Sequence, residues 1–154
     1  MLAKEIEFKT GKSEVIQFIH AMISLESLLG DHVELRYKIS IRLALLLGLV
    51  DGNNLTVFEN TKKYYDARSK ILHGSSTLSE NSDIGLEDIR TILKYSRQCI
   101  LCFIIILAQQ SLLGNNSNIR KNYVLKLIDE AILDPNKRTV LEEKLKSDPI
   151  FKYL

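Results

Sequence analysis

Only two of the 154 residues, Pro135 and Pro149, carry a ring that breaks a helix interior, and both lie near the C-terminus. Through the rest of the chain, apolar residues recur at spacings of three and four rather than two. That period predicts helices and leaves no alternating strand pattern. The expected fold is all-α, a compact bundle of about five to six helices forming one domain over residues 1–154. A composition of 45% hydrophobic and 26% charged residues fits a single packed core.

A first helix is expected from about Ser13 to Leu29, with Val15, Ile19, Met22, Ile23 and Leu29 turned inward and Gly30 as a left-handed cap. The second covers about Glu34 to Leu47 and stops at Gly48. Its segment Leu43 to Leu47 is apolar all round, which predicts a central position. Asp51-Gly52-Asn53-Asn54 is a turn cluster, and Asn53 or Asn54 can cap a third helix reaching about His73, where Gly74 stops it. Ser75 to Asp83, rich in Ser, Thr and Asn, reads as a loop. A fourth helix runs from about Leu86 to Leu113, a fifth from about Asn118 to Leu133, and Asp134-Pro135 opens a short sixth to about Lys146.

Lys and Arg number 21 against 19 Asp and Glu, a net charge of +2, so contact with nucleic acid would have to be local. Cys99 and Cys102 form a C-x-x-C inside an apolar run without further Cys or His partners, and they read as small core hydrophobes. With no Asp/Glu/His cluster at ligand spacing, neither a metal nor another cofactor is expected. The N-terminal segment lacks the basic-then-apolar order of a signal peptide. The apolar stretch Cys99 to Ala108 is about half of a bilayer span, so a cytoplasmic protein without a membrane segment is the expectation.

The third helix contains one residue that its pattern does not accommodate. On a wheel that starts at Phe58, residues Tyr64, Tyr65, Ile71 and Leu72 share the inner face, and Arg68 falls among them at about 280°. A guanidinium there needs a specific partner, because an unpaired buried charge is very costly. One assignment is a structural pair, with Glu26 of the first helix as the acid, and His73 simply ending a helix where a cation is welcome. Glu26 and Arg42 form a second candidate structural pair. His73 falls near Ser69 and Asp66 on the wheel and far from Arg68. A single helix cannot aim both side chains at one point, whereas two copies about a twofold axis can, which predicts a homodimer.

Tyr65-Asp66-Ala67-Arg68-Ser69-Lys70-Ile71-Leu72-His73-Gly74 resembles the R-x4-6-H signature of HEPN domains, here as R-x4-H. Ser24 to Gly30 and Tyr37 to Gly48 are similar in content and order to the Apea-like HEPN branch, and the resemblance covers roughly Val15 to Ala108. It implies a helical bundle that dimerises through its motif helices and cleaves RNA without metal, often within toxin–antitoxin or antiviral systems. Some members only bind or scaffold. Ser69 stands where many active members carry Asn, Asp or His. No tyrosine lies between Arg68 and His73, which speaks against an antitoxin that modifies a motif tyrosine.

On that resemblance, Arg68 and His73 are the candidate catalytic residues, with Ser69 and Asp66 in support. An imidazole with an ordinary pKa of about 6.5 can exchange a proton near neutrality, and a guanidinium fork matches two phosphate oxygens. Ser69 would donate to the phosphate or orient His73, and Asp66 would hold an imidazole nitrogen. Tyr64 and Tyr65 read as core.

Overall fold

The computed structural model describes residues 2–73, 84–110 and 116–154, with residues 2–12 as backbone only. The described residues form six α-helices and a closing 3-10 turn: α1 (Leu2–Leu29), α2 (Leu35–Asp51), α3 (Asn54–Leu72), α4 (Leu86–Ala108), α5 (Ser117–Leu133), α6 (Pro135–Lys146) and the turn Pro149–Tyr153. No strand occurs among them. The all-α expectation holds. The expected stop at Gly74, the loop Ser75 to Asp83 and the expected last residues of the fourth helix at Leu113 lie outside the described residues.

Helix α2 packs along α3, α1 packs along α4, and α5 folds back with α6 onto α2 and α4. The core between them is built from Phe18, Met22, Leu25 and Leu29 of α1, Ile39, Leu43, Leu46 and Leu47 of α2, and Ile92, Ile105 and Ile106 of α4. Each fully enclosed aliphatic or aromatic side chain removes enough apolar surface from water to contribute about 1.5–3 kcal/mol before entropy is counted. The continuous run Leu43 to Leu47 is buried, as its unbroken apolar pattern predicts.

The helix ends follow local chemistry. Asp134 accepts the backbone N–H of Asn136 at 2.8 Å ahead of Pro135, and Asn116 accepts those of Asn118 and Ile119. Asp88, one turn into α4, accepts the N–H of Gly85 at 2.9 Å. These contacts satisfy amide donors that a helix start leaves open.

Several boundaries and faces differ from the sequence reading. Helix α1 begins well before Ser13, since the preceding Lys- and Glu-rich residues are good helix formers. Gly30 is not left-handed. Its hydrogens are needed because an added Cβ would lie 2.5 Å from the Glu26 carbonyl oxygen. Gly48 does not end α2 either. The helix passes through it to Asp51, and the Asn54 side chain occupies the space a Cβ would need. The left-handed cap is Gly52, at φ 81°, whose N–H closes on the Gly48 carbonyl at 3.0 Å. Helix α4 ends at Ala108, short of Leu113, and beyond it Gln109 donates from its side chain to the Lys144 carbonyl of α6 at 3.0 Å. On α1, Phe18, Ala21 and Leu25 face the core while Ile23, expected inside, is exposed.

Helix α4 is the one helix among the described residues that is long and apolar enough to cross a membrane by length and composition, and half of its apolar window is buried in the bundle. Cys99 and Cys102 sit on its inner side.

Candidate functional site

Helix α3 carries the R-x4-H segment. Its buried strip is Val57, Thr61, Tyr64 and Ala67. Arg68, half-buried, lies beside that strip, and its Nη2 meets Glu26 Oε2 of α1 at 2.9 Å. The structural pair expected between Arg68 and Glu26 therefore forms. Arg68 Nε and Glu26 Oε1 are buried without hydrogen-bond partners. Burial raises the Glu26 carboxyl above its ordinary value, and the neighbouring guanidinium opposes that shift without overcoming it.

Glu26 and Arg42 do not pair. Arg42 is claimed instead by Asp129 of α5, which takes its Nε and Nη2 at 2.7 Å each. The remaining contacts are the Leu29 carbonyl at 2.6 Å and Asp31 at 3.3 Å. That geometry is bidentate, and it ties α2 to α5 and to the end of α1.

His73 lies at the open end of α3 as its C-cap, with its backbone N–H on the Ser69 carbonyl at 3.1 Å. The imidazole is exposed and has no hydrogen-bond partner among the described residues. Asp66, Ser69, Lys70 and His73 line an open cleft of about 370 Å3. Asp66 and Lys70 also line a neighbouring hollow of about 310 Å3, together with Arg36, Glu59, Lys62, Lys63 and Ala67. The two depressions share a wall and run along the outer face of α3.

Three of the four residues singled out from the motif thus meet in one cleft, and Arg68 stands apart on the α1 side of the helix. Arg68 and His73 do not converge within the chain, as the wheel predicts. Asp66 does not hold the imidazole: Arg36 of α2, which the sequence offers only as a residue that could line a cleft, takes its carboxylate at 2.6 Å. Leu72, expected on the inner face, is 52% exposed, because the buried strip of α3 is centred nearer Tyr64 and Thr61 than Tyr65.

The hollow beside the cleft is cationic, with Arg36, Lys62, Lys63 and Lys70 against Glu59 and Asp66, and part of that charge is offset by ion pairs. Lys62 lies 3.8 Å from Glu59, and Lys63 lies 3.1 Å from Asp88. Tyr64 is core, as expected, and its hydroxyl donates to Asp88 at 3.0 Å. Desolvation by burial, then the nearby Asp88 carboxylate, push that phenol well up. Burial also works against ionisation of Asp88, but Gly85, Lys63 and Tyr64 together hold its carboxyl below the ordinary range. Tyr65 is partly buried against the core.

Among the described residues, no group of three or more His, Cys, Asp or Glu side chains is arranged to hold a metal ion. No family model, curated protein or solved structure matches this chain.

Proposed function

We propose that this chain is a HEPN-type, metal-independent endoribonuclease that works as a cytoplasmic homodimer, within toxin–antitoxin or antiviral defence. The observation that carries the reading is the imidazole of His73, without a hydrogen-bond partner among the described residues and exposed in a cleft beside Ser69 and Lys70 at the end of the helix that also bears Arg68. In this reaction a ribose 2′-hydroxyl loses its proton to one imidazole and attacks the adjacent phosphorus. The 5′-oxygen leaves with a proton from a second imidazole, supplied by the other protomer. Products are a 2′,3′-cyclic phosphate and a 5′-hydroxyl. Arg68 provides the charge that stabilises the phosphorane, and Ser69 donates to a phosphate oxygen.

The deciding experiment is cleavage of mixed RNA in excess EDTA by wild type and by His73→Ala. Activity should persist in the chelator and fall by about a hundredfold or more in the variant, the usual loss on removing a general acid or base. Strict magnesium dependence, 5′-phosphate products, or full activity in His73→Ala would overturn the reading. A second reading is favoured by the Arg68–Glu26 pair, which occupies one edge of the guanidinium: a HEPN-like module that binds RNA or a partner protein without cleaving it. It is distinguished by RNA retention with no new ends in the wild type.

A further inference from the structure

The depression around His73 continues along α3. Asp66 and Lys70 form a wall that it shares with the hollow of about 310 Å3. Arg36, Lys62, Lys63 and Lys70 line that hollow against Glu59 and Asp66, an excess of positive charge equal to that of the whole chain. The ion pairs there do not lock the cations. Arg36 and Asp66 are each nearly half exposed, Lys62 stands 3.8 Å from Glu59, and Lys63 meets Asp88 at 3.1 Å with 40% of its side chain exposed. Exposed pairs of this kind hold little free energy, so a phosphate oxygen can replace a carboxylate at small cost.

An aromatic pair borders the hollow. Tyr37, next in sequence to Arg36, meets Phe58 edge-to-face with 6.1 Å between ring centres, and Lys62 Nζ lies 5.0 Å from the centre of the Phe58 ring. Tyr37 is 55% exposed and stands outside the core, and its hydroxyl has no hydrogen-bond partner among the described residues. A planar ring beside a row of cations is the arrangement that receives an unpaired base together with its phosphates, because every base has a π-face and every nucleotide carries a backbone charge. In a duplex those faces are covered by neighbouring base pairs. An acidic protein segment would engage the cations and leave the ring unused.

We infer that Tyr37 and the hollow lined by Arg36, Lys62 and Lys63 form a stacking and phosphate subsite that selects single-stranded RNA and leads the strand to the His73 cleft. Lys63 and His73 are ten residues apart on one helix, about 15 Å along its axis, a distance that a strand of a few nucleotides spans. The assignment rests on the nuclease reading for its choice of RNA. Binding separates the two, because it needs no cleavage.

The probe is a fluorescein-labelled RNA of about twelve nucleotides with 2′-O-methyl riboses, which block the attacking hydroxyl, titrated with the full chain in EDTA and followed by anisotropy. The single strand should bind more tightly than its duplex by about fivefold or more, the value of one base stack. Tyr37→Ala and Tyr37→Leu should each weaken binding of the strand by a similar factor while keeping the helical circular dichroism, and Tyr37→Trp should preserve it. Leu at this position keeps apolar bulk against Phe58 and loses only the flat ring. Lys62→Gln should reduce the slope of log affinity against log salt by about one, and Lys126→Gln, at an exposed site on α5, should leave affinity and slope unchanged. A duplex bound as tightly as the strand, Tyr37 variants with wild-type affinity, or polyglutamate bound as tightly as the strand would sink the inference. If the strand binds with these losses and unmodified RNA is not cut, the subsite stands and the nuclease reading falls. If unmodified RNA is cut and the Tyr37 variants bind as the wild type does, the nuclease reading stands and the subsite falls.

Discussion

Two arginines enter the bundle from neighbouring helices, and they are held in opposite ways. Arg42, with a side chain only 5% exposed, has a bidentate carboxylate, a backbone carbonyl and a second carboxylate, so its charge and its fork are fully used. Arg68, 20% exposed, has one ion pair, a buried Nε without a partner, and an acid whose own ionisation burial opposes. An arginine that only fastens a fold is expected to look like Arg42. Arg68 is held in position by a single carboxylate and carries a buried Nε without a hydrogen-bond partner, so its fork is only partly used.

The largest effect should come from breaking the saturated site. Arg42→Ala leaves Asp129 and the Leu29 carbonyl without their cation, and Asp31 with Lys38 alone, and should lower unfolding free energy by about 3 kcal/mol or more in urea titrations. A loss no greater than that of Arg68→Ala would erase the distinction between the two sites.

Arg68→Ala should cost less, about 1–2 kcal/mol, since one contact is lost and Glu26 can protonate. Arg68→Lys should disturb the fold less still, yet it should impair RNA cleavage, because an ammonium keeps the charge and loses the fork. Equal cleavage by Arg68→Lys and wild type would make this arginine structural.

A pH series sharpens the same contrast with two carboxyls of opposite sign. The Glu26 pKa is raised above its ordinary 4.5, so its favourable contribution is present below that value and is lost as pH rises through the folded-state pKa. The Asp88 pKa is lowered below its ordinary 3.8, so its contribution is present above 3.8 and is lost as pH falls through the lower folded-state pKa. In urea melts between about pH 2 and pH 7, Glu26→Gln should gain on wild type toward the upper end, and Asp88→Asn should flatten the acid limb. Parallel curves for all three proteins would remove both assignments.

The smallest effect belongs to Leu72→Ser, which changes an exposed side chain one residue from His73 and should shift stability by no more than about 0.5 kcal/mol.

Most of the architecture was legible from periodicity and punctuation. The all-α class, the central run Leu43 to Leu47, the turn at Asp51-Gly52 and the Asp134-Pro135 cap all follow from local rules. What local rules missed depends on residues distant in sequence or on close packing. Gly48 reads as a stop, but whether a helix passes through a glycine depends on what fills the missing Cβ volume, here Asn54. Arg42 required an acid, yet nothing near it in sequence points to Asp129, 87 residues later. For the motif, the wheel separated Arg68 from His73, and the need of an inward guanidinium for an acid pointed to Glu26. It put Leu72 inside and could not show that Arg36 would take Asp66, because a wheel describes one helix without its neighbours.

The sealed cysteines turn the bundle into its own stopwatch. Cys99 and Cys102 have no exposed surface, and burial pushes the Cys102 thiol up to about 12 and the Cys99 thiol well above its ordinary value. A thiol reagent needs both access and thiolate, so labelling must wait until α4 lifts from its neighbours. Because the two sulfurs sit one turn apart on the same buried strip, they should become reactive together. Their common half-time then measures how often the centre of the molecule opens, without any added dye or altered residue.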